Sequence, residues 1–172
     1  MNVSFLSAEL AKWDMLAAGQ VPDLLVLPFF ADERPLHGAA GLCDWRLCGR
    51  LSRLLATGRV GGAWGETTLY PAGHKLPFGR LVMFGLGPAD RFDEACARDA
   101  SRKIQEVVNG LAPVRYALTP PGRSTGRLSA RRALELYLEE LRKRSGGWEL
   151  PGEVVVIESP AGQKEAAELA RR

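Results

Sequence analysis

Three near-continuous apolar runs constrain this chain more than any other feature. Asp23 to Phe30 reads Asp-Leu-Leu-Val-Leu-Pro-Phe-Phe, Arg80 to Gly85 reads Arg-Leu-Val-Met-Phe-Gly, and Glu153 to Glu158 encloses Val-Val-Val-Ile. A strand with one wet face alternates apolar and polar side chains. These runs do not, so each is expected to be a strand covered on both faces. Between them lie segments with helical spacing of apolar residues. That order predicts an α/β chain with crossover connections: three layers, a mixed and mostly parallel sheet flanked by helices.

The remaining elements follow from the same patterns. Residues 3–6 read as a short edge strand, and 8–18 as a short helix or irregular segment around Trp13. Proline and two glycines make Ala31 to Gly41 a predicted loop. Leu47, Leu51, Leu54 and Leu55 then form the stripe of a helix over about 42–57, stopped by Gly58. Thr67 to Tyr70 reads as a strand that pairs antiparallel with Arg80–Gly85 through a short loop. A second helix is expected over 93–111, with Asp93 and Glu94 complementing its dipole, and Val114 to Thr119 is a strand. A third helix begins after a Ser129 cap and carries Ala130, Leu134, Tyr137, Leu138 and Leu141 inward. Gly146-Gly147 ends it, and a final helix covers about 162–171. At 172 residues the whole chain, 1–172, is expected to be one domain.

Charge and cysteine usage exclude several classes. The net charge of +3 is too balanced to imply nucleic acid. Cys43, Cys48 and Cys96 show no CxxC spacing, which fits reduced thiols and a cytoplasmic setting. No apolar run approaches the roughly 20 residues of a membrane span, so no membrane partner is expected.

Motifs of chemistry are sparse. Gly85-Leu86-Gly87 lacks the third glycine of a dinucleotide fingerprint, because Asp90 stands there. The glycines between 58 and 65 are not followed by Gly-Lys-Ser/Thr, so they are not a P-loop. His37 and His74 have no partner at ligand spacing, and no metal site is expected. No Gly-x-Ser-x-Gly occurs. Two segments suit an anion: Arg123 and Arg127 in a loop with Ser124 and Thr125, and Ser159-Pro160-Ala161-Gly162 at a helix start. The helix after the first segment carries Arg131–Glu135, Glu139–Lys143 and Glu140–Arg144 at i,i+4, the pattern of a solvated face.

The strand Asp23–Pro28, the Gly38–Asp44 loop, the Leu-x-x-x-Leu-x-x-Leu-Leu helix, Gly65-Glu66-Thr67 and the strand ending Gly85-Leu86-Gly87 resemble the N-terminal domain of leucyl aminopeptidases of the M17 type. The likeness extends from about Val21 to the C-terminus. It implies a macro-domain-like fold and, more distantly, the ADP-ribose binding of macro domains. In that family the catalysis belongs to a separate two-metal domain marked by Asn-Thr-Asp-Ala-Glu-Gly-Arg. This sequence has only Asn2 and Asn109, and neither begins such a run. The resemblance therefore implies a stand-alone, non-enzymatic relative without cofactor, acting through a protein partner or self-association. A binding module for an ADP-ribose-like or other phosphate-bearing ligand is the alternative, with Gly38, Gly41, Asp44, Ser159 and Gly162 as its loop residues. Phe29 and Phe30 are expected to crowd a ribose there, and whether they and Trp45 fill the Gly38–Asp44 loop is left open by the sequence. Arg123 and Arg127 are the candidates for anion or nucleic-acid contact. A third expectation is a regulatory part of an aminopeptidase whose catalytic domain is elsewhere.

Overall fold

The computed structural model describes residues 2–143 and 153–170. Among them six strands form one sheet: β1 (Asn2–Ser7), β2 (Leu24–Phe29), β3 (Thr67–Pro71), β4 (Arg80–Gly85), β5 (Tyr116–Leu118) and β6 (Glu153–Glu158). Their order is β1-β6-β5-β2-β4-β3. Every neighbouring pair is parallel except β3 with β4, which is antiparallel. The six α-helices among the described residues are α1 (Leu10–Asp14), α2 (Gly38–Arg46), α3 (Arg50–Ala56), α4 (Glu94–Leu111), α5 (Ala130–Lys143) and α6 (Pro160–Ala170).

The apolar runs are buried on both faces, as the absence of alternation requires. Successive residues of β2 serve opposite layers. Leu24 and Val26 pack with α4, α5 and α6, together with Val82, Phe84, Val154 and Val156. Leu25, Leu27 and Phe29 pack with α1, α2 and α3, together with Leu81, Met83, Val155 and Ile157. Within the first layer the hydroxyls of Tyr116 and Tyr137 lie 2.9 Å apart. Burial raises the pKa of both phenols, so each stays neutral and can bond the other.

Local signals placed the ends of the helices. Asp93 caps α4, its carboxylate accepting from the Cys96 N–H at 2.8 Å, and that bond holds its pKa below the usual carboxylate range. Ser129 Oγ accepts from the Arg132 N–H at the start of α5. The expected Gly146-Gly147 stop lies outside the described residues.

Three expectations need correction. Gly38 to Asp44 is not a loop but most of α2, and the single helix expected over 42–57 is two. The chain breaks at Cys48 and Gly49, both with positive φ (58° and 75°). Asp44 holds the break, its carboxylate accepting from the N–H and Oγ of Ser52 in α3. Gly41 suits α2 because a Cβ there would sit 2.5 Å from the Leu36 carbonyl oxygen. The charged face of α5 also pairs differently, the expected Glu140–Arg144 pair lying outside the described residues. Arg132–Glu135 and Lys143–Glu140 bridge at i,i+3, while Arg131 reaches Glu168 on α6 and Glu139 reaches Arg98 on α4. Ion pairs thus tie the helices of this layer together as well as bridging turns of α5.

The end of β4 is the tightest point of the backbone. A Cβ at Gly85 would overlap the Ala63 carbonyl and lie 2.6 Å from Gly62 C, and neither neighbour is a side chain that could swing away. Gly85→Ala should therefore lower stability by about 3 kcal/mol. Gly110→Ala, in α4 with open space around it, should raise stability by about 0.5–1 kcal/mol. Urea unfolding of the two variants checks both signs.

Candidate functional site

In an open parallel sheet the C-terminal strand ends and the helix starts that follow them form the natural crevice. Here that crevice lies where β5 and β6 end and α2 and α6 begin. It is a cavity of about 160 Å³ lined by Ala8, Gly38, Ala39, Thr119, Arg123, Ser124, Ile157, Glu158 and Ser159. The β5–α5 connection brings Thr119, Arg123 and Ser124, and the end of β6 brings Glu158 and Ser159.

The centre of the crevice is an ion pair. Arg123 Nε and Nη2 donate to the two oxygens of Glu158 at 2.6 and 3.0 Å. The Ser159 N–H and Oγ donate to Glu158 Oε1 at 2.7 and 3.0 Å. Ser159 Oγ in turn accepts from the Gly162 N–H at 3.2 Å. The Glu158 carboxylate therefore occupies the N-terminal end of α6, where a helix offers N–H groups and a favourable dipole to an anion. Its side chain is only 7 % exposed, against 25 % for Arg123. Gly162 leaves room for it, since a Cβ there would press on Glu158 Cγ at 2.5 Å. Two buried hydroxyls on the same cavity, Thr119 Oγ1 and Ser124 Oγ, have no hydrogen-bond partner among the described residues.

The structure sorts the residues singled out from the sequence. Gly38, Arg123 and Ser159 share the cavity, and Gly162 backs its carboxylate. Gly38 lies with its missing Cβ position 3.6 Å from Ser124 Cβ. Gly41 is packed on Leu36, Asp44 is engaged by Ser52, and Arg127 is exposed in the loop beyond. Phe29 and Phe30 do not crowd the cavity: alternation sends them into opposite cores, Phe30 edge-on to Phe92 at 5.0 Å. Trp45 is 73 % exposed on the outside of α2. Glu158 and Thr119 were missed. The available signal was a polar residue closing each of two buried strands directly before a turn or helix start. No three His, Cys, Asp or Glu side chains converge as a metal site among the described residues, and none of the described helices is long and apolar enough to cross a membrane.

Residues 26–142 match the N-terminal domain of the cytosol aminopeptidase family. The chain belongs to that family of domains. A probable cytosol aminopeptidase of Xanthomonas oryzae pv. oryzae is 37% identical over 102 residues, which cover 55% of this chain and 20% of that protein. One from a Cyanothece strain is 34% identical over 70 residues, 41% of this chain and 14% of that protein. The chain thus matches a fifth or less of the length of these relatives. Among solved structures, a Trypanosoma brucei macrodomain in complex with ADP-ribose has a TM-score of 0.71 at 17% identity, covering 98% of this chain and 68% of that one. A tomato leucine aminopeptidase mutant has a TM-score of 0.58 at 14% identity, covering 98% and 35%. The fold is macrodomain-like.

A buried carboxylate that loses its cation is left uncompensated. Arg123→Ala should lower stability by about 3 kcal/mol, and Arg123→Ala with Glu158→Ala should cost less than the two single changes added. A double-mutant cycle in urea should return a coupling of about 1–3 kcal/mol.

Proposed function

We propose that this chain is a non-catalytic relative of the aminopeptidase N-terminal domain that acts through protein contact, with a partner or with a second copy of itself. The observation that carries this reading is two exposed apolar side chains, each next in the chain to one member of an ion pair. Asp14 and Arg46 join α1 to α2 by an ion pair of 2.7 Å. Met15 follows one member in the chain and Trp45 precedes the other, and they are 77 % and 73 % exposed. Large apolar groups left in water forgo roughly 25 cal/mol per Å² of burial, and contact surfaces are where such groups regain it. In this reading the whole chain, 1–172, works as one macro-like unit in the cytoplasm, the compartment named for its relatives. The catalytic portion of a cytosol aminopeptidase is the first partner to try.

A second reading is favoured by the two unpartnered hydroxyls. Thr119 and Ser124, beside Arg123, suit a phosphate-bearing ligand of the kind that the Trypanosoma brucei macrodomain holds. Against it stands the Glu158 carboxylate, already seated where a ligand's charge would go.

Light scattering on a dilution series, alone and with an aminopeptidase catalytic portion, tests the first reading. Association is expected, and Met15→Ser with Trp45→Ser should abolish it without lowering Tm. A chain that stays monomeric and unbound throughout would remove the reading. Calorimetry with ADP-ribose tests the second: no heat is expected from the unaltered chain, and tight binding would reverse the order of the two.

A further inference from the structure

A second hollow lies away from the crevice, between α3 and the edge strand β3. It encloses about 250 Å³ and is lined by Arg50, Arg53, Leu54, Thr57, Arg59 and Tyr70. Three arginines therefore line it, and no carboxylate is among its lining residues. Elsewhere Arg46, Arg80, Arg98, Arg115, Arg123 and Arg132 each pair with an Asp or Glu. Among the described residues Arg50, Arg53 and Arg59 form no ion pair.

The placement of these cations has a local cost. Arg50 opens α3, where the helix dipole favours an anion, and α3 has no acidic residue in its first turn. Arg50 and Arg53 are three residues apart on the helix, a spacing at which like charges repel. Only Arg53, in the last turn, is favoured by the dipole. An anion in the hollow would relieve both penalties. Leu54 and the Tyr70 ring supply an apolar wall beside the charges. Guanidinium forks match the paired oxygens of a phosphate.

We propose that this hollow is a binding site for a small organic phosphate monoester with a planar or apolar body. Its volume suits a small molecule, whereas a stable protein contact takes an area on the order of 800 Å² on each partner. The grouping of three arginines around one hollow also favours a compact anion over a long polyanion, which is met by a stripe of charge. The site shares no residue with the Arg123–Glu158 crevice or with Met15 and Trp45, so it stands or falls independently of the proposed function.

Phenyl phosphate, inorganic phosphate and phenol are the probes, titrated into the full chain and followed by calorimetry and by the Leu54 methyl resonances. Phenyl phosphate is expected to bind more tightly than either of its halves and to shift Leu54. Arg53→Gln should weaken it by roughly tenfold, Arg50→Gln should weaken it also, and Arg91→Gln, at an exposed arginine outside the hollow, should leave it unchanged. Both arginines are exposed, so unaltered Tm is expected and is measured alongside. Equal affinity for inorganic phosphate would mean an adventitious ion only and would overturn the proposal. So would the absence of binding, a Leu54 resonance that does not move, or affinity that survives both substitutions.

Discussion

Burial of β2 on both faces is the constraint on which the rest of the molecule depends. Its six residues are all buried, and its two edges are taken by β5 and β4 in parallel register. Parallel neighbours cannot be reached by a tight turn, so the chain must leave and return through helices. Alternation along β2 then hands α4, α5 and α6 one apolar face and α1, α2 and α3 the other. Leu25 and Leu27 define one core, Leu24 and Val26 the second. Once that strand is placed, the strand ends that form the crevice lie on the same edge of the sheet.

At that edge the chain supplies its own anion. A helix start that follows a parallel strand is a ready anion site, and Glu158 is the last residue of its strand. With Arg123 in front and Ser159 below, its carboxylate receives four hydrogen-bond donations. The adjacent sequence accommodates it: Ser159 turns its hydroxyl up to the carboxylate while accepting from Gly162, and only a glycine at 162 spares the carboxylate a clash. The crevice of this domain is therefore small because a side chain fills it, not because Phe29 or Phe30 does.

The sequence revealed the elements whose signal is local and repeated. The doubly buried strands, the Asp93 and Ser129 helix starts and the antiparallel β3–β4 pair were all legible, because each rests on a pattern within one segment. The break between α2 and α3 was not. The leucine stripe continues across it, and the interruption depends on Cys48 taking a positive φ and on Asp44 reaching Ser52. The partners of the α5 charges were equally hidden, since Arg98 and Glu168 come from other helices. At the crevice, Arg123 and Ser159 were legible as types suited to anions. That they meet through Glu158 was not, because the contact joins the β5–α5 connection to the end of β6, 35 residues away.

The Arg123–Glu158 pair also sets how readily the crevice could admit a ligand. Removing one member of a buried pair exposes the other to an uncompensated cost of about 3–5 kcal/mol. Arg123 is partly in water, so the lower end of that range applies here. A phosphate seeking the α6 start must first displace the carboxylate and leave it in the same low-dielectric place, beside another negative charge. At about 1.4 kcal/mol per tenfold change, a cost of about 3 kcal/mol weakens such a ligand by roughly two orders of magnitude. The unpartnered Thr119 and Ser124 hydroxyls pull the other way. Each would gain about 1 kcal/mol from a bond to a ligand oxygen, so together they offset part of the displacement cost but not all of it. The balance lies with the internal carboxylate, and Glu158 is the residue that holds it there.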